Sequence, residues 1–264
     1  ECRSIVGADD VNSHKDPATR RGVAGIYFMF KAAGARADEG GSLNEVLAAA
    51  QLAKDNTRTV GFALTPCIIP EVGHANFELK ENEMAMGMGI HGEPGVWNGP
   101  LKTSREIAEE SLNTLLTDMP VADCEEVSIL INGLGATSIE ELYILSNDVT
   151  QILNSKGIKI YKTIVGEYAT SMEMAGASIS ICKMNDELKK YSMLISTQTE
   201  PGRKAVLLHF TCVDPSLGKW DVQAPLYTTT PEENYLMMEC ADIFKMGNYW
   251  YLMFSENWSN TKGT

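Results

Sequence analysis

The chain has 264 residues, 44% of them apolar, and a formal net charge of −13. This length allows one large domain or two small ones. The acidic charge argues against nucleic acid or an anionic membrane as a partner, and no apolar run approaches the ~18–20 residues that span a bilayer. The first residues are acidic and polar, unlike a signal peptide. The sequence does not begin with methionine, so we expect either a piece of a longer sequence or a processed chain.

The cysteines are scattered and form neither CxxC pairs nor Cys/His clusters. A zinc site would show paired spacings, and a small disulfide-rich secreted domain would hold its cysteines more densely. We therefore expect no metal site, and reduced, mostly buried thiols in a cytoplasmic protein. The six residues are Cys2, Cys67, Cys124, Cys182, Cys212 and Cys240.

The first half of the chain predicts two helices and a strand. Arg20–Lys31 is rich in small and apolar residues and predicts a helix. Ser42 and Glu45 have the spacing of a capping box, which predicts the start of a second helix. Residues 59–70 are a short apolar run ended by a proline, which favours a strand. The predicted inner face of the second helix carries Leu43, Val46, Leu47 and Ala50.

The clearest predicted unit begins with a buried strand at Val127–Ile131. Asn132–Gly135 is interpreted as the turn that follows it. Thr137 or Ser138, each with a glutamate three residues later, predicts the cap of the next helix. Apolar residues at helical spacing predict its inner face, namely Leu142, Leu145, Val149 and Ile152.

The end of this helix and the next strand complete a strand–helix–strand unit. Gly157 stands where a helix favours a left-handed cap, and Ile158–Val165 predicts the next strand. A further strand is expected near Ala177. These elements predict an α/β fold, a layered sheet with helices.

The glycines after the strand at Val127–Ile131 do not predict a nucleotide site. Gly133-Leu-Gly135 does not continue as GxGxxG, and the chain contains no GxxxxGK[ST] motif. A tight turn leading into a helix is the favoured interpretation.

The stretch Gly87–Gly95, "GMGIHGEPG", places His91 at the centre of a glycine-rich loop. One interpretation is a turn that contains a histidine by chance. The other is a ligand site, since glycines permit close approach, Pro94 stiffens the loop and a neutral imidazole is nucleophilic near neutral pH. Glu93 belongs to the same loop, either as a chemical group or as a carboxylate that accepts backbone hydrogen bonds.

Four segments in order, "RRGVAGIYFMFKAAGA", "NEMAMGMGIHGEPG", "INGLGATSIEELY" and "GEYATSMEMAGASISICKMNDEL", resemble the substrate-binding part of the dihydroxyacetone kinases. The resemblance covers about residues 4–190 and extends to kinases of four-carbon ketoses. It implies that His91 adds to the ketone of the substrate as a covalent hemiaminal, with Gly89 and Gly92 beside it. It also implies ATP or ADP on a separate domain or subunit, and a homodimer.

Two motifs of that family are absent from this chain. The glycine-rich "GGGSGHEP" and the "YTGD" segment supply a second histidine and an aspartate thought to act as a base. The alternative is therefore a ketose-binding module without kinase activity.

Residues 191–264 have a different character. They contain eleven of the twenty aromatic residues and predict short antiparallel strands with a hairpin turn at Gly247-Asn248. They resemble part of the invertase and levanase glycoside hydrolases, which fold as five-bladed β-propellers. We thus expect two parts, residues 1–190 and 191–264, either a recombined sequence or an unusual natural fusion.

Within the second part, Glu239-Cys-Ala-Asp242 matches the "EC-x-D" motif that carries the acid/base glutamate of the hydrolases. A retaining glycosidase needs a second carboxylate roughly 5 Å away, and the family's nucleophile motif is absent. Glu239 is therefore either the remnant of a β-fructoside hydrolase site or an ordinary carboxylate at a strand edge.

Overall fold

A computed structural model describes residues 2–68, 73–90, 92–123, 125–189, 191–198, 205–212, 221–225, 227–228, 237–246 and 249–257. The chain divides into two compact units, Glu1–Leu188 and Lys189–Thr264. Every helix in the described ranges is too short or too polar to cross a bilayer.

In its described residues, the first unit contains four α-helices and six strands. The helices are α1 (Ile26–Asp38), α2 (Leu43–Asp55), α3 (Ser104–Asp118) and α4 (Ile139–Ser155). The strands are β1 (Thr57–Ala63), β2 (Glu83–Met86), β3 (Trp97–Pro100), β4 (Glu126–Gly133), β5 (Lys159–Gly166) and β6 (Gly176–Lys183).

The six strands form one mixed sheet in the order β3-β2-β1-β6-β4-β5. The pair β4 and β5 is parallel and is joined through α4, as the sequence predicts. The other pairs are antiparallel. The α/β prediction is confirmed for this unit.

Helices cover the sheet on both faces. On one face, α3 and α4 pack on alternate residues of the central strands, for example Val60, Ile129 and Ile179. On the other face, Phe28 of α1 packs with Leu130 of β4. Strands buried on both faces explain why β4 is nearly continuous in apolar residues.

The predicted helix at Arg20–Lys31 is partly wrong, because α1 begins only at Ile26. Residues before it are held by a distant side chain: the carboxylate of Asp9 accepts hydrogen bonds from the backbone amides of Val23, at 3.0 Å, and Gly25, at 2.8 Å. The pattern of apolar residues in Arg20–Lys31 carries no information about this long-range contact, so it could not predict the later start of α1.

The capping predictions are confirmed. Ser42 and Glu45 form the capping box of α2, and Ser138 with Glu141 forms that of α4. Gly157 has a φ of +74° after α4. The four residues predicted for the inner face of α4 are buried, whereas Leu43 on α2 is 41% exposed.

The predicted turn at Asn132–Gly135 begins too early, because β4 continues to Gly133. The Asn132 side chain is buried within the fold. Its amide donates to the carbonyl of Ala169 at 2.8 Å, and its oxygen accepts from the amides of Tyr168 and Ala169. These bonds make a polar residue acceptable in a buried strand.

The thiols of Cys67 and Cys182 are free and buried, as predicted, while Cys2 is exposed, contrary to the expectation of burial. Burial raises the pKa of the Cys182 thiol to about 11. This thiol is thus protonated at neutral pH and behaves as an apolar group.

The second unit, in its described residues, consists of antiparallel strands. They are β7 (Tyr191–Gln198), β8 (Ala205–Cys212), β9 (Asp221–Val222), β10 (Tyr227–Thr228), β11 (Met237–Met246) and β12 (Tyr249–Asn257). Strands β7, β8 and β10 form one sheet, β9 pairs with β8, and β11 pairs with β12. The predicted turn at Gly247-Asn248 lies outside the described residues, and a five-bladed propeller stays a prediction.

Candidate functional site

The glycine-rich loop that contains position 91 joins β2 to β3. Its two ends are fixed by backbone hydrogen bonds. The amide of Gly87 donates to the carbonyl of Gly61 in β1 at 2.7 Å, and the amide of Val96 donates to the carbonyl of Met86 at 2.7 Å. The sheet therefore holds the base of the loop.

The loop also closes on itself around position 91. The amide of Gly89 donates to the carbonyl of Glu93 at 3.2 Å, and the amide of Gly92 donates to the carbonyl of Gly89 at 3.1 Å. His91 lies outside the described residues, but both of its neighbours are placed. These two bonds link the described loop residues that precede and follow position 91.

Gly89 and Gly92 are both closely packed by neighbouring side chains of the chain, and the predicted approach of a ligand to these glycines stays a prediction. A Cβ at Gly89 would overlap the carboxylate of Glu93 and lie 2.9 Å from Cζ of Arg21. Gly92 has a φ of +79°, and a Cβ there would overlap the side chain of Asn76. No room remains for any side chain at these two positions without movement of the neighbours.

Sequence reasoning missed a polar pair that supports this loop. Nε of Arg21 donates to Oδ2 of Asp10 at 2.6 Å, and Nη2 of Arg21 donates to the carbonyl of Gly87 at 3.2 Å. Asp10 also accepts from the amide of Asn12 at 3.0 Å. The only sequence signals were the doublets Asp9-Asp10 and Arg20-Arg21, and neither doublet alone indicates its partner.

Burial strongly affects the two neighbouring aspartates. Desolvation raises the pKa of the Asp9 carboxyl, opposed by its hydrogen bonds, including those from Val23 and Gly25. Desolvation also raises the pKa of Asp10, while the guanidinium of Arg21 acts in the opposite direction. Asp10 is the better placed of the two for ionisation because it has a cationic partner.

A small apolar cluster lies beside the loop and includes Met88, Leu134 and Met174, with Ile90 packed against it. Cys67 belongs to this cluster, and its amide donates to Oδ1 of Asn76 at 3.0 Å. The same asparagine packs on Gly92. Apolar packing thus supports the loop before position 91, and the side chain of Asn76 supports it after that position.

The other predicted groups lie elsewhere. Two other histidines, His14 and His74, are exposed. Glu239 lies in β11, where the pairing with β12 shifts register between Glu239 and Asp242; its proposed acid/base role stays a prediction. In the ranges that the structure describes, no three His, Cys, Asp or Glu residues could together hold a metal ion.

Comparison with known proteins identifies relatives of the first unit. A model of the Dak1 domain matches residues 1–199. The dihydroxyacetone-binding subunit DhaK of the PTS-dependent dihydroxyacetone kinase 1 of Listeria innocua is 40% identical over 185 residues, which cover 69% of this chain and 56% of that protein. The solved structure of the dihydroxyacetone kinase operon co-activator Dha-DhaQ gives a TM-score of 0.62 at 35% identity, covering 68% of this chain and 56% of that one.

One relative also reaches the second unit. The L-erythrulose 1-kinase of Mycolicibacterium smegmatis is 32% identical over 249 residues, covering 91% of this chain and 42% of that protein. Coverage of 91% necessarily includes residues beyond 190. The resemblance of residues 191–264 to invertases and levanases is not supported by these matches. The chain spans about half the length of the curated relatives it matches.

Proposed function

The chain belongs to the Dak1 domain family, and from this premise we propose that it holds a short ketose for phosphorylation. The ketose is dihydroxyacetone or a four-carbon relative, bound covalently by His91. The observation that carries the proposal is the loop geometry: any side chain at Gly89 or Gly92, on either side of position 91, would require neighbouring side chains to move.

The proposed step is an addition without oxidation or reduction. A lone pair on a ring nitrogen of neutral His91 forms a bond to the carbonyl carbon of the ketose. The π pair of the carbonyl moves to oxygen, which takes up a proton, and the other ring nitrogen loses its proton to solvent. Addition to a carbonyl selects ketoses over glycerol, which has no carbonyl to accept the nitrogen.

The loop contributes to this step by keeping the reacting groups close. Hydrogen bonds fix both ends of the loop to the sheet and close it around position 91. Holding a nucleophile in a fixed place reduces the entropic cost of reaction with a bound ligand.

Phosphoryl transfer would require further groups. We propose that ATP or ADP is bound by a separate domain or subunit, and that the chain acts as a homodimer. The relative from Listeria is named as a dihydroxyacetone-binding subunit of a kinase, which supports division of ketose binding and nucleotide binding between chains.

A second candidate is ketose binding without phosphoryl transfer. One relative of comparable identity is named as an operon co-activator rather than a kinase. In this case the adduct on His91 would form, but no phosphorylated product would appear.

The first prediction is that intact-mass measurement of the chain with dihydroxyacetone shows one added ketose. His91→Ala should abolish this mass increase, because the attacking nitrogen is lost. His74→Ala is the matched control, since His74 is exposed on another loop, and it should retain the adduct. An adduct that persists in His91→Ala would contradict the proposed attachment.

A coupled assay distinguishes the two candidates. The chain, dihydroxyacetone and a nucleotide-bearing kinase subunit from a relative should yield dihydroxyacetone phosphate if the chain supports phosphoryl transfer. Adduct without this product would favour the binding module.

A further inference from the structure

We infer that Arg21 is a positioning residue for the glycine-rich loop of residues 87–96 (the ketose loop). Its guanidinium group acts by donating hydrogen bonds to Asp10 and to the carbonyl of Gly87. This inference rests on the proposed function. It assigns a role to a residue that lies 70 positions before His91 in the sequence and outside the glycine-rich motif.

The guanidinium of Arg21 touches the first arm of the loop at two points. Nη2 donates to the carbonyl of Gly87 at 3.2 Å. A Cβ placed on Gly89 would lie 2.9 Å from Cζ of Arg21, and it would also overlap the carboxylate of Glu93. Arg21 therefore lies against Gly87 and Gly89, the two glycines that precede position 91.

A buried anion fixes the guanidinium itself. Asp10 is 2% exposed as a side chain and receives Nε of Arg21 at 2.6 Å, while the Arg21 side chain is 23% exposed. A charge-assisted hydrogen bond to a buried carboxylate is among the stronger polar contacts in proteins. Asp10 thus holds the guanidinium of Arg21 in place, and Nη2 of this group is directed to the loop.

The preceding arginine provides an internal comparison. Arg20 is 3% exposed and pairs with Asp118 at the end of α3, with Nη2 to Oδ1 at 2.5 Å. Two adjacent arginines therefore each form an ion pair with a largely buried aspartate. Arg20 binds Asp118 at the end of α3, whereas Arg21 binds Asp10 and also contacts the ketose loop. A general effect on folding should appear at both positions, and an effect on the loop only at Arg21.

The test compares Arg21→Gln, Arg21→Lys and Arg20→Gln in the full chain. Titration with dihydroxyacetone, followed by intact mass, gives the concentration for half-maximal adduct. We expect Arg21→Gln to raise this concentration by about 10-fold or more, since small misplacement of reacting groups is costly. Arg21→Lys keeps the charge but loses the planar fork, so it should recover part of the loss. Arg20→Gln should lower the thermal unfolding midpoint and leave the half-maximal concentration unchanged.

Hydrogen exchange of the amides in residues 87–96 gives a readout that does not need the ketose. Exchange there should be faster in Arg21→Gln than in Arg20→Gln. Equal exchange and equal adduct formation in the two glutamine variants would overturn the role of Arg21. Absence of an adduct in the parent chain would instead overturn the proposed function, and with it the ketose-dependent part of this inference.

Discussion

Individual residues in the loop are constrained by their neighbours more than by their own chemistry. Gly92 combines a left-handed backbone with a contact to Asn76. Gly34, in the middle of α1, has nothing within 4 Å of its would-be Cβ. The same substitution should therefore have opposite effects at the two glycines.

Gly92→Ala should destabilise the chain by about 1–3 kcal/mol, because an alanine there is strained and meets Asn76. Gly34→Ala should stabilise it by about 0.5–1 kcal/mol, because glycine is a poor residue in a helix interior. Urea denaturation measures both values. A stabilising Gly92→Ala would show that the described loop conformation is wrong.

The ion pairs at Asp118 predict a specific dependence on pH. Hydrogen bonds from Arg20 are the main reason that the pKa of the Asp118 carboxyl lies below its ordinary value, and Arg58 contributes in the same direction. A lowered pKa in the folded state means that the unfolded chain binds protons first. The stabilisation is therefore complete above the unfolded pKa of about 4 and is lost as pH falls through the folded value.

Asp118→Asn should reduce the free energy of unfolding at pH 7, by at most about 3–5 kcal/mol, because Arg20 loses a buried partner. Its stability should then decline less steeply than that of the parent chain as pH falls below about 4. Denaturation at a series of pH values measures both slopes. Parallel curves for the two proteins would contradict the assigned pairing.

Among the elements, those with local signals were predicted well. The capping boxes of α2 and α4 and the buried strand β4 follow from residues close together in sequence. The start of α1 was predicted too early because the carboxylate of Asp9 holds the amides of Val23 and Gly25. Such a contact crosses more than a dozen residues and leaves no periodic signal.

Helix α4 offers a comparison of two isoleucines on one element. Ile152 is 4% exposed in the main core, while Ile144 is 58% exposed. Ile152→Ala should cost about 2–5 kcal/mol, because it removes buried methyl groups and leaves a cavity. Ile144→Ala should cost less than about 1 kcal/mol. Equal losses in chemical denaturation would contradict the orientation of α4 on the sheet.

At the scale of the whole molecule, the candidate site is assembled from segments far apart in the chain. The glycine-rich loop and its family resemblance could be predicted because the motif is contiguous. The support from Asp10, Arg21 and Asn76 could not be predicted. It depends on how the residues before α1, and those between β1 and β2, come together in the folded chain. The second unit shows the opposite case: its strands were predicted from aromatic residues and turns, but its suggested hydrolase relationship is not supported.

The central claim is that a ketose carbonyl becomes bonded to a ring nitrogen of His91. Nuclear magnetic resonance with dihydroxyacetone labelled with ¹³C at the carbonyl, and the chain labelled with ¹⁵N in histidine, tests this bond directly. We predict that the carbonyl signal moves to the range of a tetrahedral carbon and shows one-bond coupling to ¹⁵N, and that His91→Ala shows neither change. A bound ketose whose carbonyl signal stays in the ketone range, without coupling to nitrogen, would contradict the claim.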